Sequence, residues 1–293
     1  VKDWILAARP KTLPAAVVPV VTGTLLARDA LGRADWGLAG WTLASALSIQ
    51  IATNLFNDAI DARKGADTER RLGPVRVTAS GRIPAAAVLR AAVAACVLAA
   101  LCGLPLVLAR GPVILGIGLV SLLLTYGYTG GPVPLAYRGL GELFVIAFFG
   151  FAATAGSYFV QTGAWPGTSG WIAGFQVGLL ATVLIAINNL RDRDEDATTG
   201  KRTLAVRFGI AFARGEIAAC GLLPYVLGPL AWPDRPWAAW LPAAGLPLAA
   251  AVVVGVFRQP PGPSFNRWLA LGGMHLVLWM LLFAVALEMS GRA

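Results

Sequence analysis

The chain has 293 residues, of which 57% are hydrophobic and 13% charged, with a formal net charge of +9. Apolar runs of about 20 residues recur along it, the length that crosses the hydrocarbon core of a bilayer. They do not alternate in polarity, which excludes a closed β-barrel and leaves an all-α polytopic membrane protein.

The opening stretch, "VKDWILAARPKTLPAAVVPVVTG", lacks a small-residue cleavage site and leads into a full span, so no cleavable signal peptide is expected. Nine transmembrane helices follow, at about 12–28, 37–56, 86–108, 112–130, 139–161, 171–190, 214–231, 237–256 and 268–290, in a single membrane domain over 1–293. The eighth, rich in Pro and Gly, carries the weakest signal of a span. With the N-terminus inside, the inside segments are that terminus and the loops at 57–85, 131–138, 191–213 and 257–267, which hold most of the 24 Lys and Arg. The opposite side keeps only Arg28, Arg33, Arg110, Arg235 and Arg292. This asymmetry puts the inside loops in the cytoplasm, across a cell inner (cytoplasmic) membrane. The positive charge is then topological; it attracts anionic lipid and anionic substrates and requires no nucleic acid.

Cys96, Cys102 and Cys220 lie in apolar stretches without metal-ligand spacing and read as core residues. His275 is the only histidine and sits mid-span, which fits a packed, hydrogen-bonded side chain and makes a zinc site or a Ser-His-Asp triad improbable.

Chemistry concentrates in two loops. Of the 15 acidic residues, eight fall after the second and sixth spans, in "IQIATNLFNDAIDARKGADTERRLGPVRVTASGRIP" and "NNLRDRDEDATTGKRT". Asn54, Asn57 and Asp61 are spaced to share one helical face, and so are Asn188, Asp192 and Asp196. The two clusters echo each other across four spans, as in a weak internal repeat whose halves face one cavity. Asp194, Glu195, Glu69 and Arg70 read as solvated loop charges. The aligned acids repel one another unless cations neutralise them. Oxygen donors without thiolates suit a hard ion such as Mg²⁺, which is commonly shared between carboxylates and substrate phosphates. The bases that follow, Arg63, Lys64, Arg71 and Arg76 in the first loop and Lys201 and Arg202 in the second, suit phosphate oxygens. Acids and bases together describe a diphosphate site at the head of an apolar bundle, which fits a lipid diphosphate. Loss of diphosphate from an allylic carbon leaves a carbocation that an apolar chamber shields from water. Tyr126, Tyr128, Tyr158, Phe148, Phe149 and Phe151 are candidate aromatic linings.

On these residues the sequence resembles the UbiA-type intramembrane aromatic prenyltransferases. The likeness runs from "RPKTLPAAVVPVVTG" through "NLFNDAIDARKGADTERRLGPVRVTASG" and "YTGGPVPLAYRGLGELFVIAFFG" to "NNLRDRDEDATTGKRTLAVRFG", most of residues 9–209. In the first motif Asp61 and Asp67 are six apart, whereas the general family pattern has aspartates four apart. That departure resembles the family's naphthoate branch and argues against its 4-hydroxybenzoate branch. It leaves open which of Asp58, Asp61 and Asp67 touches metal.

The resemblance implies a UbiA-type nine-helix bundle around a central cavity capped on the cytoplasmic side. It implies transfer of a polyprenyl chain from polyprenyl diphosphate to 1,4-dihydroxy-2-naphthoate, with loss of carbon dioxide, giving demethylmenaquinone for menaquinone biosynthesis. Mg²⁺ would be held by Asp58, Asp61, Asp67, Asp192 and Asp196. Asn57, Asp61, Asn188, Asp192 and Asp196 carry over as the catalytic, metal-side set. Lys11, Asn54, Arg63, Lys64, Arg76, Tyr126 and Lys201 carry over as substrate contacts.

Three other readings fit less well. A CDP-alcohol-type headgroup transferase needs an aspartate and glycine order that "DARKGAD" lacks. A cation-coupled transporter would place carboxylates on broken helices near the midplane. A purely structural membrane protein has no reason to gather its acids in two echoing loops. Within the prenyltransferase reading, 4-hydroxybenzoate or homogentisate are the alternative acceptors.

Overall fold

A bilayer interior offers the backbone no hydrogen-bond partners, so each apolar run must satisfy its own as a helix. The computed structural model describes residues 1–67 and 72–291, and among them there is no β-strand. Glu69, Arg70, Arg71 and Arg292 lie outside the described residues. A short helix α1 (Lys2–Ala8) precedes nine rods among the described residues. These are α2 (Pro14–Leu31), α3 (Trp36–Arg63), α4 (Ala85–Arg110), α5 (Pro112–Gly127), α6 (Gly141–Thr162), α7 (Thr168–Arg191), α9 (Leu204–Ala231), α10 (Pro236–Arg258) and α11 (Phe265–Ser290). The six-residue α8 (Arg193–Thr198) lies between α7 and α9.

Seven of the rods are long and apolar enough to cross a membrane. Of the other two, α5 is apolar but has only 16 residues. α3 has 28 residues but carries Asn54, Asn57, Asp58 and Asp61 in its last turns. The chain is therefore a multi-pass membrane protein.

Helix ends follow local chemistry. Pro14, Pro112 and Pro236 open their helices, where the missing N–H costs nothing. Asp35 caps α3 by accepting from the Leu38 N–H at 2.9 Å.

The rods differ from the predicted spans in four places. α3 runs on to Arg63, so the first acidic motif begins on a helix rather than in a loop. α9 begins at Leu204, ten residues before the predicted start, and breaks at Gly209 (φ 85°, ψ −179°), a backbone region open to glycine. α10 includes a 3₁₀ stretch at Leu241–Gly245, in the segment rich in Pro and Gly. Within α6, Ile146–Ala153 is a π-helix, which no sequence signal had indicated.

α7 is the most buried rod and packs between α6, α9 and α11. The core around it includes Leu180, Ile187, Ile217, Trp279 and Phe283. His275 is buried there, 2.5 Å from the Tyr225 hydroxyl, as a packed histidine should be. Helices α6 and α7 meet through glycine. A Cβ on Gly150 would lie 2.8 Å from the Gly174 carbonyl oxygen and 3.1 Å from the Gly178 Cα, and backbone cannot yield there.

The inter-helix loops meet at two ends. At one, Lys64 bonds the Thr129 carbonyl, Arg202 N–H the Tyr137 carbonyl, and Asn266 the Leu72 carbonyl. At the other, the Asp35 backbone exchanges two bonds with the Gln161 side chain, and Asp29 pairs with Arg235.

The glycine contact gives a stability test. Gly150→Ala should destabilise the detergent-solubilised protein by about 1–3 kcal/mol, the usual cost of overpacking. Gly215→Ala, with open space around its Cβ, should be neutral or stabilising. Thermal unfolding of both variants checks this.

Candidate active site

A cavity of about 640 Å³ opens where the acidic loops meet. Its mouth is polar, with Asn54, Asn57, Asp58, Asn188, Asp192, Asp196, Lys11, Arg76 and Lys201 on the wall. Its depth is aliphatic, formed by residues of α4 and α5 such as Leu104, Val107, Ile114 and Leu119. Between them stands an aromatic wall of Tyr128, Phe144, Phe148 and Phe149. The two acidic clusters thus line a single cavity.

The first cluster hangs from the last turns of α3. The Asn54 amide donates to the Ala8 carbonyl at 2.9 Å and to Thr12 Oγ1 at 3.1 Å, tying the N-terminal segment over the mouth. Asn57 Oδ1 accepts from two guanidinium groups, Arg9 at 3.0 Å and Arg76 at 3.2 Å. Asp58 accepts the Thr78 N–H at 2.9 Å and fixes the loop that carries Arg76. Asp61 is fully buried, held by the Tyr137 hydroxyl at 2.8 Å and the Lys201 ammonium at 2.9 Å. Asp67 faces Arg76 Nε at 3.4 Å.

The second cluster spans the α7–α8 junction. Here Asp192 leaves helical geometry, yet its carbonyl accepts from the Asp196 N–H and its N–H reaches Asn188, so the face is kept. Arg191 is 2% exposed and is the centre of this cluster. Its guanidinium grips Asp192 with two bonds of 2.7 and 2.6 Å, and donates to Asn188 Oδ1 at 2.7 Å and Asn266 Oδ1 at 2.8 Å. Asp196 is buried and lies 4.0 Å from the Lys201 ammonium. Asp194 is exposed and pairs with Arg193.

Burial alone would lower the Lys201 pKa, but Asp61, Asp196 and Asp67 outweigh it and raise it, so this residue stays charged. Burial, helped by Asp61, raises the Tyr137 pKa and keeps its hydroxyl a donor. Lys64 is lowered by burial, against the pull of Asp61.

Not every expected residue reaches the wall. Arg63 is exposed, and Lys64 bonds Thr129 and lies over the Tyr137 ring, 4.1 Å from its centroid. Asp61 and Asp67 stand behind Lys201 and Arg76 rather than on the cavity surface. Tyr126 points away, 48% exposed and edge-on to Phe56; Tyr128, two residues on and so on the other side of the helix, is the tyrosine on the wall. Phe151 stacks on Phe175, and Tyr158 packs against the main core. Arg9, Tyr137, Glu142, Asn189 and Arg191 are site residues that the motif reading missed. Asn189 and Arg191 had a local signal, both lying within the second acidic motif, at i+1 and i+3 from Asn188.

The donor set decides which metal could be held. Among the described residues no three His, Cys, Asp or Glu side chains are grouped to bind one ion. A self-sufficient metal centre therefore does not fit. A cation held by one or two carboxylates, with its other ligands from a phosphate, suits the acids on the cavity wall, Asp58, Asp192 and Asp196, whereas Asp61 and Asp67 are engaged by Lys201 and Arg76 behind it.

The comparisons agree with this geometry. Residues 16–270 match the model of the UbiA prenyltransferase family. A 1,4-dihydroxy-2-naphthoate octaprenyltransferase of Mycobacterium tuberculosis (strain ATCC 25618 / H37Rv) is 38% identical, with 97% of this chain and 96% of that protein covered. A protein of the same name from Escherichia coli (strain K12) is 39% identical over 75% of this chain and 72% of its own length. Among solved structures, an apo UbiA homolog from Aeropyrum pernix K1 superposes with a TM-score of 0.71 at 16% identity, covering 96% of this chain and 99% of that one. A UbiA homolog from Archaeoglobus fulgidus bound to GPP and Mg²⁺ gives 0.67 at 15% identity, covering 98% and 99%. The chain is a membrane-embedded prenyltransferase and belongs to the UbiA prenyltransferase family.

Proposed function

We propose that the enzyme transfers a polyprenyl group from polyprenyl diphosphate to 1,4-dihydroxy-2-naphthoate, releasing carbon dioxide and diphosphate. The product is the hydroquinone form of demethylmenaquinone. The site opens to the cytoplasm, in line with the basic loops at that end. The observation that carries this reading is one cavity with two acidic clusters and the bases Lys11, Arg76 and Lys201 at its mouth and an aliphatic depth beyond an aromatic wall. A charged head and an apolar tail of one substrate have matching surfaces there. The acceptor is taken from the named relatives, together with the first-motif spacing.

Each residue then has a task. Lys11, Arg76 and Lys201 face the phosphate oxygens, where charge-assisted bonds are strongest. Asp58, Asp192 and Asp196, with Asn57 and Asn188 beside them and Asp61 and Asp67 behind, would hold Mg²⁺; the Archaeoglobus homolog is bound to GPP and Mg²⁺. Bound there, Mg²⁺ would neutralise the charge that develops on the leaving diphosphate. Tyr137 and Lys201 fix Asp61 from two sides, and Arg191 fixes Asp192, so the acids are positioned before substrate arrives. The Phe144, Phe148 and Phe149 rings keep water from the allylic carbon and offer their faces to its positive charge.

The activity itself is tested by incubating purified protein with Mg²⁺, a labelled polyprenyl diphosphate and a panel of aromatic acids. A prenylated naphthohydroquinone supports the reading, and prenylated 4-hydroxybenzoate in its place overturns the acceptor. Excess chelator should abolish turnover and added Mg²⁺ or Mn²⁺ should restore it; undiminished turnover in chelator is incompatible with the mechanism.

Substitutions separate the acids. Asp192→Ala and Asp196→Ala should each lower turnover by about 100-fold, or about 2.7 kcal/mol of transition-state stabilisation. Asp194→Ala, at an exposed carboxylate, should stay within about tenfold of wild type. Equal damage from all three would mean that the whole segment wraps the metal. Lys201→Ala should raise the donor KM by about tenfold with a smaller change in kcat, because a phosphate contact is made in ground and transition states alike.

A further inference from the structure

Glu142 stands apart from both acidic clusters. It is the second residue of α6, in "GLGELF", is 3% exposed and lies on the cavity wall. Its Oε1 accepts from the Asn189 amide at 2.7 Å. Its Oε2 is buried and has no hydrogen-bond partner among the described residues. Asp61, Asp67 and Asp192 each have a basic partner, whereas Glu142 forms no ion pair among the described residues. A buried carboxylate oxygen left bare is costly, and such an atom on a side chain that lines a cavity points to a ligand that supplies a donor once seated there. Helix capping does not account for it, because neither oxygen takes a backbone N–H of the first turn.

Its surroundings restrict what that ligand group can be. Like charge keeps a diphosphate or a carboxylate from binding to it directly, and the metal-type acids are elsewhere. A neutral O–H remains. The neighbouring wall is flat and aromatic: Phe144 stacks on Phe148 with centroids 4.3 Å apart, and Tyr128 lies 5.3 Å from Phe144. Gly141 lets the Tyr128 ring come close, since a Cβ there would lie 3.1 Å from the Tyr128 hydroxyl and 3.0 Å from Ile185 Cδ1. A hydroxylated aromatic ring laid against this wall can present its O–H to Glu142 and turn its own carboxylate toward the bases at the mouth.

We propose that Glu142 is the catalytic base for the acceptor, its Oε2 taking first the hydrogen bond and then the proton of the ring hydroxyl beside the carboxylate-bearing carbon. This rests on the aromatic-acceptor reading above. As the ring carbon forms its bond to the allylic carbon, the allylic C–O electron pair leaves with the diphosphate. The hydroxyl proton passes to Glu142, leaving a ring ketone next to a carbon that carries both the prenyl group and the carboxylate. The carbon–carboxylate bond then breaks and carbon dioxide departs. Its electron pair restores the aromatic ring, and the ketone oxygen takes the proton back. Glu142 ends as it began, and no oxidant or reductant is consumed.

The test is E142Q, which keeps the size and the Asn189 neighbour but cannot accept a proton. With wild-type protein and a labelled donor, the acceptor panel first identifies the aromatic acid that is prenylated; if none is, the acceptor reading fails before any variant is made. With that acid, E142Q should lower kcat by about 100-fold while donor affinity, measured by binding of the prenyl diphosphate with Mg²⁺, changes by less than about threefold. A ring-fluorinated version of the acid, whose hydroxyl is more acidic, should narrow the wild-type to E142Q ratio at least threefold, since it needs a base less. An unchanged ratio, a kcat within threefold of wild type, or a loss of donor affinity equal to the loss of kcat would each overturn the proposal.

Discussion

Lys201 joins the two acidic clusters. Its ammonium lies 2.9 Å from Asp61 on α3 and 4.0 Å from Asp196 on α8, linking positions 140 residues apart. Charges this close to a membrane interior need a partner, and removing one side of such a pair leaves the other stranded at a cost of several kcal/mol. The ends of α3 and α7 must therefore meet at one end of the bundle, and the loops between must close over them. Tyr137 adds a third strand to the junction by bonding the same carboxylate, which brings in the loop between α5 and α6. The arrangement of the mouth follows from the need to neutralise a few buried acids.

The same requirement shows why the acids are legible in a sequence while their partners are not. Asn54, Asn57 and Asp61, and Asn188, Asp192 and Asp196, stand out because helical periodicity is local and their charge density is anomalous in an apolar chain. The spans are legible for the same reason, the Pro- and Gly-rich eighth included. Arg9, Tyr137 and Glu142 belong to the site through long-range contacts, and a lone polar residue beside an apolar run carries no local mark of that. Arg63 and Lys64 show the converse. Their charge suited phosphate, but the end of α3 turns one to solvent and the other to the Thr129 carbonyl. Tyr126 and Tyr128 differ only by which side of one helix end meets the cavity. The break at Gly209 and the π-helix in α6 arise from packing, and neither residue type nor spacing announces them.

The cavity separates the two demands that a lipid diphosphate makes. Its mouth is crowded with paired charges that exchange one partner for another, and its depth is aliphatic with nothing to pair. Between these regions the aromatic wall lies alongside α7, so a ring placed there is within reach of both the headgroup end and the reacting carbon of a chain. One bundle end therefore supplies charge compensation, and the bundle interior supplies solvent exclusion.

The π-helix at Ile146–Ala153 sets how α6 contributes to that wall. Its backbone hydrogen bonds span five residues instead of four, so each residue turns the chain less than in an α-helix. Phe148, Phe149, Ala152 and Ala153 consequently share the cavity side, while Gly150 meets α7. The wall's shape is thus a property of the backbone count more than of any one side chain. Drift in side-chain identity here leaves the wall in place. Gain or loss of a single residue would instead re-phase the rest of α6, turning Gly156 and Ser157 off the cavity and breaking the glycine contact with α7. In the divergence of such chains, this segment should tolerate replacement at positions other than Gly150 and resist changes of length.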